Sequence, residues 1–170
     1  MEFQTFQCLL PYPDVPFTGN QRTGRLLLSA YAGGGSELGA ICQYCYERFK
    51  LSGRYPEVAR ALGGIAKVEM HHLELLGEAI CRCGVDPCFR TVREGGSVYF
   101  TAAPPMVEYN RGLACILPRD IESERKAIEG YRHLIQCIRD EDVGALLERI
   151  ILDEEEHIRI LSSLYVQYCG

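Results

Sequence analysis

The sequence predicts an all-α protein, a four-helix bundle with a long crossover between helices 2 and 3. Three observations carry this prediction. Apolar residues recur at three- and four-residue steps in four long segments, which is typical of amphipathic helices. Glycine and proline separate these segments. The connections between them are short, long and short, and a long connection lets two bundle helices run parallel.

The first two helices are bounded by turn residues. We expect helix 1 at about residues 22–51, where Gly33–Gly35 disfavour helix by up to ~1 kcal/mol each. This interruption marks either a bulge or a close approach of another backbone. Helix 2 is expected at about 56–83, because proline suits a first turn and Gly84 suits a C-terminal cap. Residues 1–20 are rich in proline and predict an extended arm.

The second half of the chain repeats this pattern after a crossover at residues 84–118. Within the crossover, residues 97–101 have only a weak strand pattern. Helix 3 is expected at about 119–139 and helix 4 at about 142–168, and their short connection predicts an antiparallel pair. We expect the whole chain, residues 1–170, to form a single domain.

Composition excludes some classes of function. The net charge of −5 and pI near 5.4 argue against nucleic-acid binding through a basic face. No apolar run approaches the ~18–20 residues that span a bilayer, so no membrane association is expected. The N-terminal residues lack the pattern of a signal peptide, which predicts a cytoplasmic protein.

Nine cysteines are many for a chain of 170 residues. In a reducing compartment most should be unpaired thiols, and we expect most of them to be small core residues. A redox pair or a second metal site is the alternative for two groups of cysteines. These groups are the Cys-x-x-Cys of Cys42 and Cys45, and the set Cys81, Cys83 and Cys88.

Helices 2 and 4 each contain the motif Glu-x-x-His. The motif residues are Glu69 with His72 and Glu154 with His157. Side chains three residues apart project from one face of a helix, so each carboxylate and imidazole can bind the same metal ion. One such motif is common by chance, whereas two on separate predicted helices are much rarer.

Helices 1 and 3 each add a single glutamate, Glu37 and Glu124. Four carboxylates offset the charge of two divalent ions, and oxygen with imidazole ligands suits iron or manganese. The sequence therefore predicts two iron ions or two manganese ions, bound by Glu37, Glu69, His72, Glu124, Glu154 and His157. Iron and manganese use the same ligands, so the pattern does not choose between them.

Three further side chains are candidates for supporting roles around this site. Asp153 is placed to accept a hydrogen bond from His72 on the facing helix, whereas the matching position before Glu69 is Val68. Tyr44 and Tyr131 follow Glu37 and Glu124 by two helical turns. Each tyrosine either hydrogen-bonds a ligand carboxylate, relays protons or electrons, or is an ordinary core residue.

Four segments resemble the ferritin-like superfamily, most closely the rubrerythrins and manganese catalases. They are YAGGGSELGA from Tyr31, IAKVEMHHLELLG from Ile65, ERKAIEGY from Glu124 and ILDEEEH from Ile151. The likeness covers about residues 22–83 and 119–168. It implies that Glu69 and His72 serve one half of a dinuclear site and that Glu154 and His157 serve the other. In manganese catalases the position of Glu154 tends to lie outside the ligand set, which leaves its role open.

The resemblance implies an oxidoreductase of the peroxidase or catalase type that acts on hydrogen peroxide or dioxygen. The alternatives are a ferroxidase or iron-handling bundle without turnover, and a purely structural bundle. The chain lacks the two Cys-x-x-Cys loops of full-length rubrerythrins after the bundle, so an electron donor would be a separate protein. We also expect a homodimer or higher homo-oligomer, in which the aromatic residues of 97–109 either cover the bundle or form the interface.

Overall fold

The chain was analysed as a computed structural model that describes residues 5–14, 19–93, 96–99, 107–109 and 112–170. Within these ranges it forms five α-helices and one two-stranded hairpin. The elements are α1 (Gln21–Ala32), α2 (Glu37–Leu51), α3 (Pro56–Arg82), β1 (Arg90–Arg93), β2 (Gly96–Tyr99), α4 (Leu113–Ile138) and α5 (Glu141–Cys169).

The predicted first helix is broken into α1 and α2 at the glycine run. A Cβ on Gly33 would lie 2.4 Å from the carbonyl oxygen of Ser29, and Gly35 has a left-handed φ of +74°. Ser36 then starts α2, because its side chain accepts a hydrogen bond from the backbone N–H of Gly39. Both α1 and α2 pack against α3. With α1 and α2 taken as one interrupted helix, four helices form the predicted bundle.

The other helices match the predicted ones except at one boundary. We expected helix 3 to begin near Arg119, but α4 begins at Leu113 and includes Pro118. The prediction was wrong because a proline was read as a boundary, whereas the buried Leu113, Ile116 and Leu117 stabilise the earlier turn. Arg139 adopts a left-handed φ of 55° after α4, and Asp140 caps α5, so the chain reverses within two residues.

The crossover begins with the hairpin β1–β2. The strands are antiparallel, with Arg90 opposite Tyr99 and Arg93 opposite Gly96, and β1 lies against α1. The weak strand pattern at 97–101 thus corresponds to β2 as far as Tyr99, and residues 100–101 lie outside the described ranges. No described helix is long and apolar enough to cross a membrane.

Two apolar cores fill the two ends of the bundle. One contains Leu27 and Leu28 of α1 with Leu76 and Ile80 of α3, and it includes the beginning of α5. The other lies around Leu62 of α3 and includes residues of α2, the beginning of α4 and the end of α5. Most of the buried carboxylates and both buried histidines lie on α2, α3, α4 and α5, in the stretches between the residues of these two cores.

The cysteines do not have the burial that was expected. All nine are free thiols, but Cys83 alone is buried, Cys81 and Cys115 are exposed, and the other six are partly exposed. The expectation was wrong for most of them. Cys83 belongs to one core and Cys45 and Cys169 pack against the other, whereas the remaining six, all within the described residues, are part of neither core.

Candidate metal centre

All six predicted ligands come together in the middle of the bundle. Glu37 is the first residue of α2, the two Glu-x-x-His motifs lie within α3 and α5, and Glu124 lies in the middle of α4. Each of these side chains is at most 4% exposed. The helical spacing of three residues brings each motif histidine to the same face as its glutamate, as the sequence predicted.

The six side chains form two overlapping groups of possible metal ligands. In each group, one donor atom per residue lies within 4.8 Å of the others. We call the first group, Glu37, Glu69, His72 and Glu154, the His72 position. We call the second group, Glu69, Glu124, Glu154 and His157, the His157 position.

Two carboxylates are shared by both groups. Glu69 has Oε2 3.1 Å from Nδ1 of His72 and Oε1 3.1 Å from Nδ1 of His157. Glu154 has Oε1 3.3 Å from Nδ1 of His72 and Oε2 2.9 Å from Nδ1 of His157. The resemblance implied that each motif serves one half of the site. In the structure, each motif glutamate instead lies close to both histidines. Glu154, like Glu69, has one carboxylate oxygen close to each histidine, so it lies among the possible metal ligands.

The other two carboxylates each belong to one group. Oε2 of Glu37 lies 3.7 Å from Nδ1 of His72, and Oε1 of Glu124 lies 3.6 Å from Nδ1 of His157. The two imidazole rings are 6.2 Å apart. Each group thus has one histidine, one carboxylate of its own and two shared carboxylates, an arrangement that suits a pair of ions.

Burial sets the protonation of the carboxylates in the metal-free protein. Burial, together with the charges of Glu154 and Glu69, raises the pKa of Glu124 to about 8. Burial and the charge of Glu69 likewise raise the pKa of Glu37 well above its usual range. Burial also acts to raise the pKa of Glu69, but the charge of His157 and several hydrogen bonds outweigh it and hold that pKa below its usual range.

The histidines hold protons in the metal-free protein. Burial acts to lower the pKa of His72 and of His157, but the surrounding carboxylates outweigh it and raise both pKa values well above the usual range. Protons therefore balance the buried negative charge where cations would otherwise do so. Nδ1 of His157 lies 3.1 Å from Oε1 of Glu69, but this oxygen makes no hydrogen bond of satisfactory geometry among the described residues. A buried cluster of carboxylate and imidazole donors fits iron or manganese ions.

The predicted contact between Asp153 and His72 is present. Nε2 of His72 lies 3.0 Å from Oδ2 of Asp153, a residue that is completely buried. Burial acts to raise the pKa of Asp153, but hydrogen bonds from His72, Tyr12 and Arg149 lower it to about 2. The ionised carboxylate accepts the Nε2–H bond and leaves Nδ1 of His72 facing the shared glutamates.

The two candidate tyrosines differ in their contacts. Tyr44 is buried and its hydroxyl donates a hydrogen bond to Oε1 of Glu124, across the bundle from α2 to α4. Burial and the charge of Glu124 raise the pKa of Tyr44 well above its usual range, so its proton stays on the phenol. Tyr131 is also buried, and it lines the cavity that leads to the site.

Sequence reasoning missed a second buried polar cluster, on α2 and α4. Glu47 and Asp120 are at most 1% exposed, and Arg119 binds both of them. Burial and the charge of Glu47 raise the pKa of Asp120 well above its usual range. Gln43 adds two hydrogen bonds to the backbone of Glu108 in the crossover, with lengths of 2.7 and 3.0 Å. Asp120 lies one helical turn before Glu124, which is the signal that could have identified the cluster.

A cavity of about 480 Å³ connects the site with the surface. Its walls include Glu37, Glu69, Glu124 and Glu154 at the inner end, and exposed residues such as Lys126 on α4. Arg119 and Asp120 also line the cavity, so the second polar cluster borders the route to the candidate metal centre. A small polar molecule can therefore reach the carboxylates without unfolding of the bundle.

Solved structures with the same fold include metal proteins. KatB, a manganese catalase from Anabaena, superposes with a TM-score of 0.76 at 21% identity, over 98% of this chain and 80% of that chain. A bacterioferritin from Desulfovibrio desulfuricans, described with a diiron site, has a TM-score of 0.70 at 26% identity, over 89% and 86% of the two chains. The bacterioferritin BfrA from Mycobacterium tuberculosis has a TM-score of 0.72 at 23% identity, over 89% and 88%.

These likenesses confirm the ferritin-like fold that the sequence motifs predicted. No curated protein sequence matches the chain. The family model described as Rubrerythrin matches residues 27–165, which include all six predicted ligands and all or part of each bundle helix. The chain therefore belongs to the rubrerythrin family.

Proposed function

We propose that this protein is a dinuclear iron or manganese oxidoreductase that acts on hydrogen peroxide or dioxygen, of the peroxidase or catalase type. The ligands in this proposal are Glu37, Glu69, His72, Glu124, Glu154 and His157. The observation that carries it is the pair of overlapping four-residue groups, which share two carboxylates and are buried at the end of an open cavity. Membership of the rubrerythrin family supports it.

The site has the features that redox chemistry on a small oxidant requires. When bound, the metal pair supplies the electrons, because iron and manganese both change between divalent and trivalent states. Glu69 and Glu154 direct one oxygen toward each histidine, so they can hold two ions at a fixed spacing. Asp153 fixes the orientation of His72. The cavity of about 480 Å³ gives a small molecule such as peroxide or dioxygen a route to the carboxylates.

Tyr44 places a hydroxyl proton beside one of the proposed metal ligands. Its hydroxyl donates a hydrogen bond to Glu124, and burial raises the pKa of the phenol well above its usual range, so the hydroxyl keeps its proton. Both side chains line the cavity. Tyr44 therefore holds a proton beside a carboxylate that would bind the metal, and Tyr131 lines the cavity further along the same face of α4.

Iron oxidation and handling is the second candidate function. The likeness to the Desulfovibrio desulfuricans bacterioferritin, at 26% identity, favours it. Acidic side chains also line the cavity, among them Glu108 and Asp120 as well as Glu124. Such a route suits a divalent cation as well as it suits peroxide.

Metal analysis with a peroxide assay separates these functions. The protein purified anaerobically should contain about two iron or manganese ions per chain. Release of oxygen from hydrogen peroxide without a reductant would assign a catalase. Peroxide consumption only with an added electron donor would assign a peroxidase, and we propose that the natural donor is a separate protein. Oxidation of added Fe²⁺ with retention of the product, and no peroxide turnover, would assign iron handling.

A pair of neighbouring glutamates on α5 provides the matched control. Glu154→Gln should lower the metal content and abolish turnover, because Glu154 is in both groups. Glu155→Gln should change neither, because Glu155 is exposed and pairs with Arg132 at 3.6 Å on the outside of the bundle. Equal metal content and equal turnover in the two variants would refute the proposed site.

A further inference from the structure

The N-terminal residues 5–14, which we call the arm segment, are held against α5 by one arginine. Arg149 is only 5% exposed. Its Nε donates to the carbonyl of Leu10 and its Nη2 donates to the carbonyl of Cys8, both at 2.8 Å. Its guanidinium lies over the ring of Tyr12, 4.1 Å from the centroid. The arm segment is thus attached by directional contacts as well as by packing.

The arm segment also binds the residue that orients His72. The backbone N–H of Cys8 donates to Oδ1 of Asp153 at 2.6 Å, and the hydroxyl of Tyr12 donates to Oδ2. Oδ2 is also the oxygen that lies 3.0 Å from Nε2 of His72. The ring of Tyr12 meets the ring of His72 edge-on, with 6.4 Å between centroids. A chain of hydrogen bonds therefore runs from the arm segment through Asp153 to the His72 position.

The His157 position has no such support in the described structure. Nε2 of His157 is buried and has no hydrogen-bond partner among the residues described. The residue of α3 that corresponds to Asp153 of α5 is Val68, whose side chain cannot accept a hydrogen bond. The four ligands of each position are otherwise equivalent in kind, with one histidine and three glutamates each.

This difference has a known consequence for metal binding. A carboxylate that accepts the remote N–H of a ligand histidine fixes its ring and makes it a stronger donor. We infer that the arm segment, through Tyr12, Cys8 and Asp153, positions His72 alone, so that the His72 position binds a divalent ion more tightly than the His157 position. The inference rests on the proposed function, because it requires the six side chains to bind metal. Since coupling is reciprocal, an ion at the His72 position should also hold the arm segment more firmly.

Titration of the metal-free protein with Mn²⁺ alone tests this inference, with unbound Mn²⁺ followed by electron paramagnetic resonance. The wild-type protein should bind two ions in two distinguishable steps. Asp153→Asn should weaken the tighter step by about 10- to 100-fold. Tyr12→Phe, which keeps the ring and removes the hydroxyl, should weaken the same step by about 2- to 10-fold. In both variants the weaker step should keep its affinity.

The matched control is Tyr165→Phe, a substitution of a partly exposed tyrosine on α5, which should leave both steps unchanged. A second readout, hydrogen exchange at the amide of Cys8, reports on the arm segment directly. Mn²⁺ should slow this exchange in the wild-type protein and slow it less in Tyr12→Phe.

Two results would overturn the inference. If two ions bind with equal affinity, or if Tyr12→Phe weakens both steps equally or neither, the inference is wrong and the proposed metal centre stands. If neither Mn²⁺ nor, under anaerobic conditions, Fe²⁺ binds to the wild-type protein, the proposed function and this inference both fail.

Discussion

The stability of the metal-free protein should decrease as the pH rises from 5 to 8, and bound metal should reverse this trend. The reason is the set of protons held by the buried cluster. The pKa of Glu124 is about 8 in the folded protein, against 4.5 for an ordinary glutamate, so the folded state keeps a proton that the unfolded state loses. The pKa values of His72 and His157 are also raised, above the ordinary 6.5. For each of these groups, stability is lost as the pH rises toward the folded-state pKa.

The size of the effect follows from the shift of Glu124. A shift from 4.5 to about 8 corresponds to at most about 5 kcal/mol, at ~1.4 kcal/mol for each pH unit. The protons of neighbouring carboxyls are coupled, so we expect a total loss of about 2–5 kcal/mol between pH 5 and pH 8. For a domain of this size, that loss lowers the melting temperature by roughly 5–15 °C. Below about pH 4.5 the trend changes sign, because Glu69 and Asp153 have lowered pKa values and lose their contribution on protonation.

Thermal unfolding of the metal-free protein at pH 5, 6, 7 and 8 measures this effect. The same series with Mn²⁺ should show a stabilisation that increases with pH, because the ligands must lose protons to bind metal. Glu124→Gln serves as the internal control and should make the metal-free profile less steep, because glutamine does not titrate while His72 and His157 still do. A metal-free protein that is equally stable at pH 5 and pH 8 would refute the electrostatic reasoning, as would a metal effect that is independent of pH.

Two further predictions concern stability and the arm segment. Arg119→Met should destabilise the protein by about 2–4 kcal/mol at pH 7 in urea unfolding, because Glu47 and Asp120 lose their partner. The loss should be smaller at pH 5, because burial and the charge of Glu47 raise the pKa of Asp120 and its protonation removes the repulsion. Equal losses at the two pH values would contradict this account. Gly64→Ala should speed amide exchange throughout the arm segment, because a Cβ at this position would lie 2.3 Å from the ring of Phe6. The neighbouring Gly63→Ala should leave the arm segment unchanged and stabilise α3 by up to ~1 kcal/mol, because the nearest atoms to its Cβ belong to the flexible side chain of Arg48, which can move away. Identical exchange in the two glycine variants would contradict the prediction.

The helices and the six clustered side chains could be predicted from the sequence for a simple reason. Helical periodicity and the spacing of three residues are local properties, and they alone bring Glu69 beside His72 and Glu154 beside His157. The glycine run at 33–35 was identified as an interruption of the first helix. That the helix breaks there completely depends on the close approach of Gly33 to the backbone of Ser29. The start of α4 was missed because the burial of Leu113 is a tertiary property.

Apart from the contact between Asp153 and His72, the contacts between distant elements could not be predicted. Tyr12 and Asp153 are separated by 141 residues, and nothing in the proline-rich N-terminal sequence shows that it contacts α5. The sharing of Glu69 and Glu154 between both histidines likewise depends on the distance between two facing helices. A clue was present for Arg149, which lies one helical turn before Asp153 and pairs with it at 2.8 Å.

The most direct test of the central claim is anomalous X-ray diffraction from crystals of the protein loaded with manganese or iron. The account predicts two ions about 3.5–4 Å apart, between Glu69 and Glu154. One ion should be bound by Nδ1 of His72 and the other by Nδ1 of His157. A single ion, ions bound only at cysteine thiols, or a carboxylate cluster that excludes metal in loaded protein would contradict it.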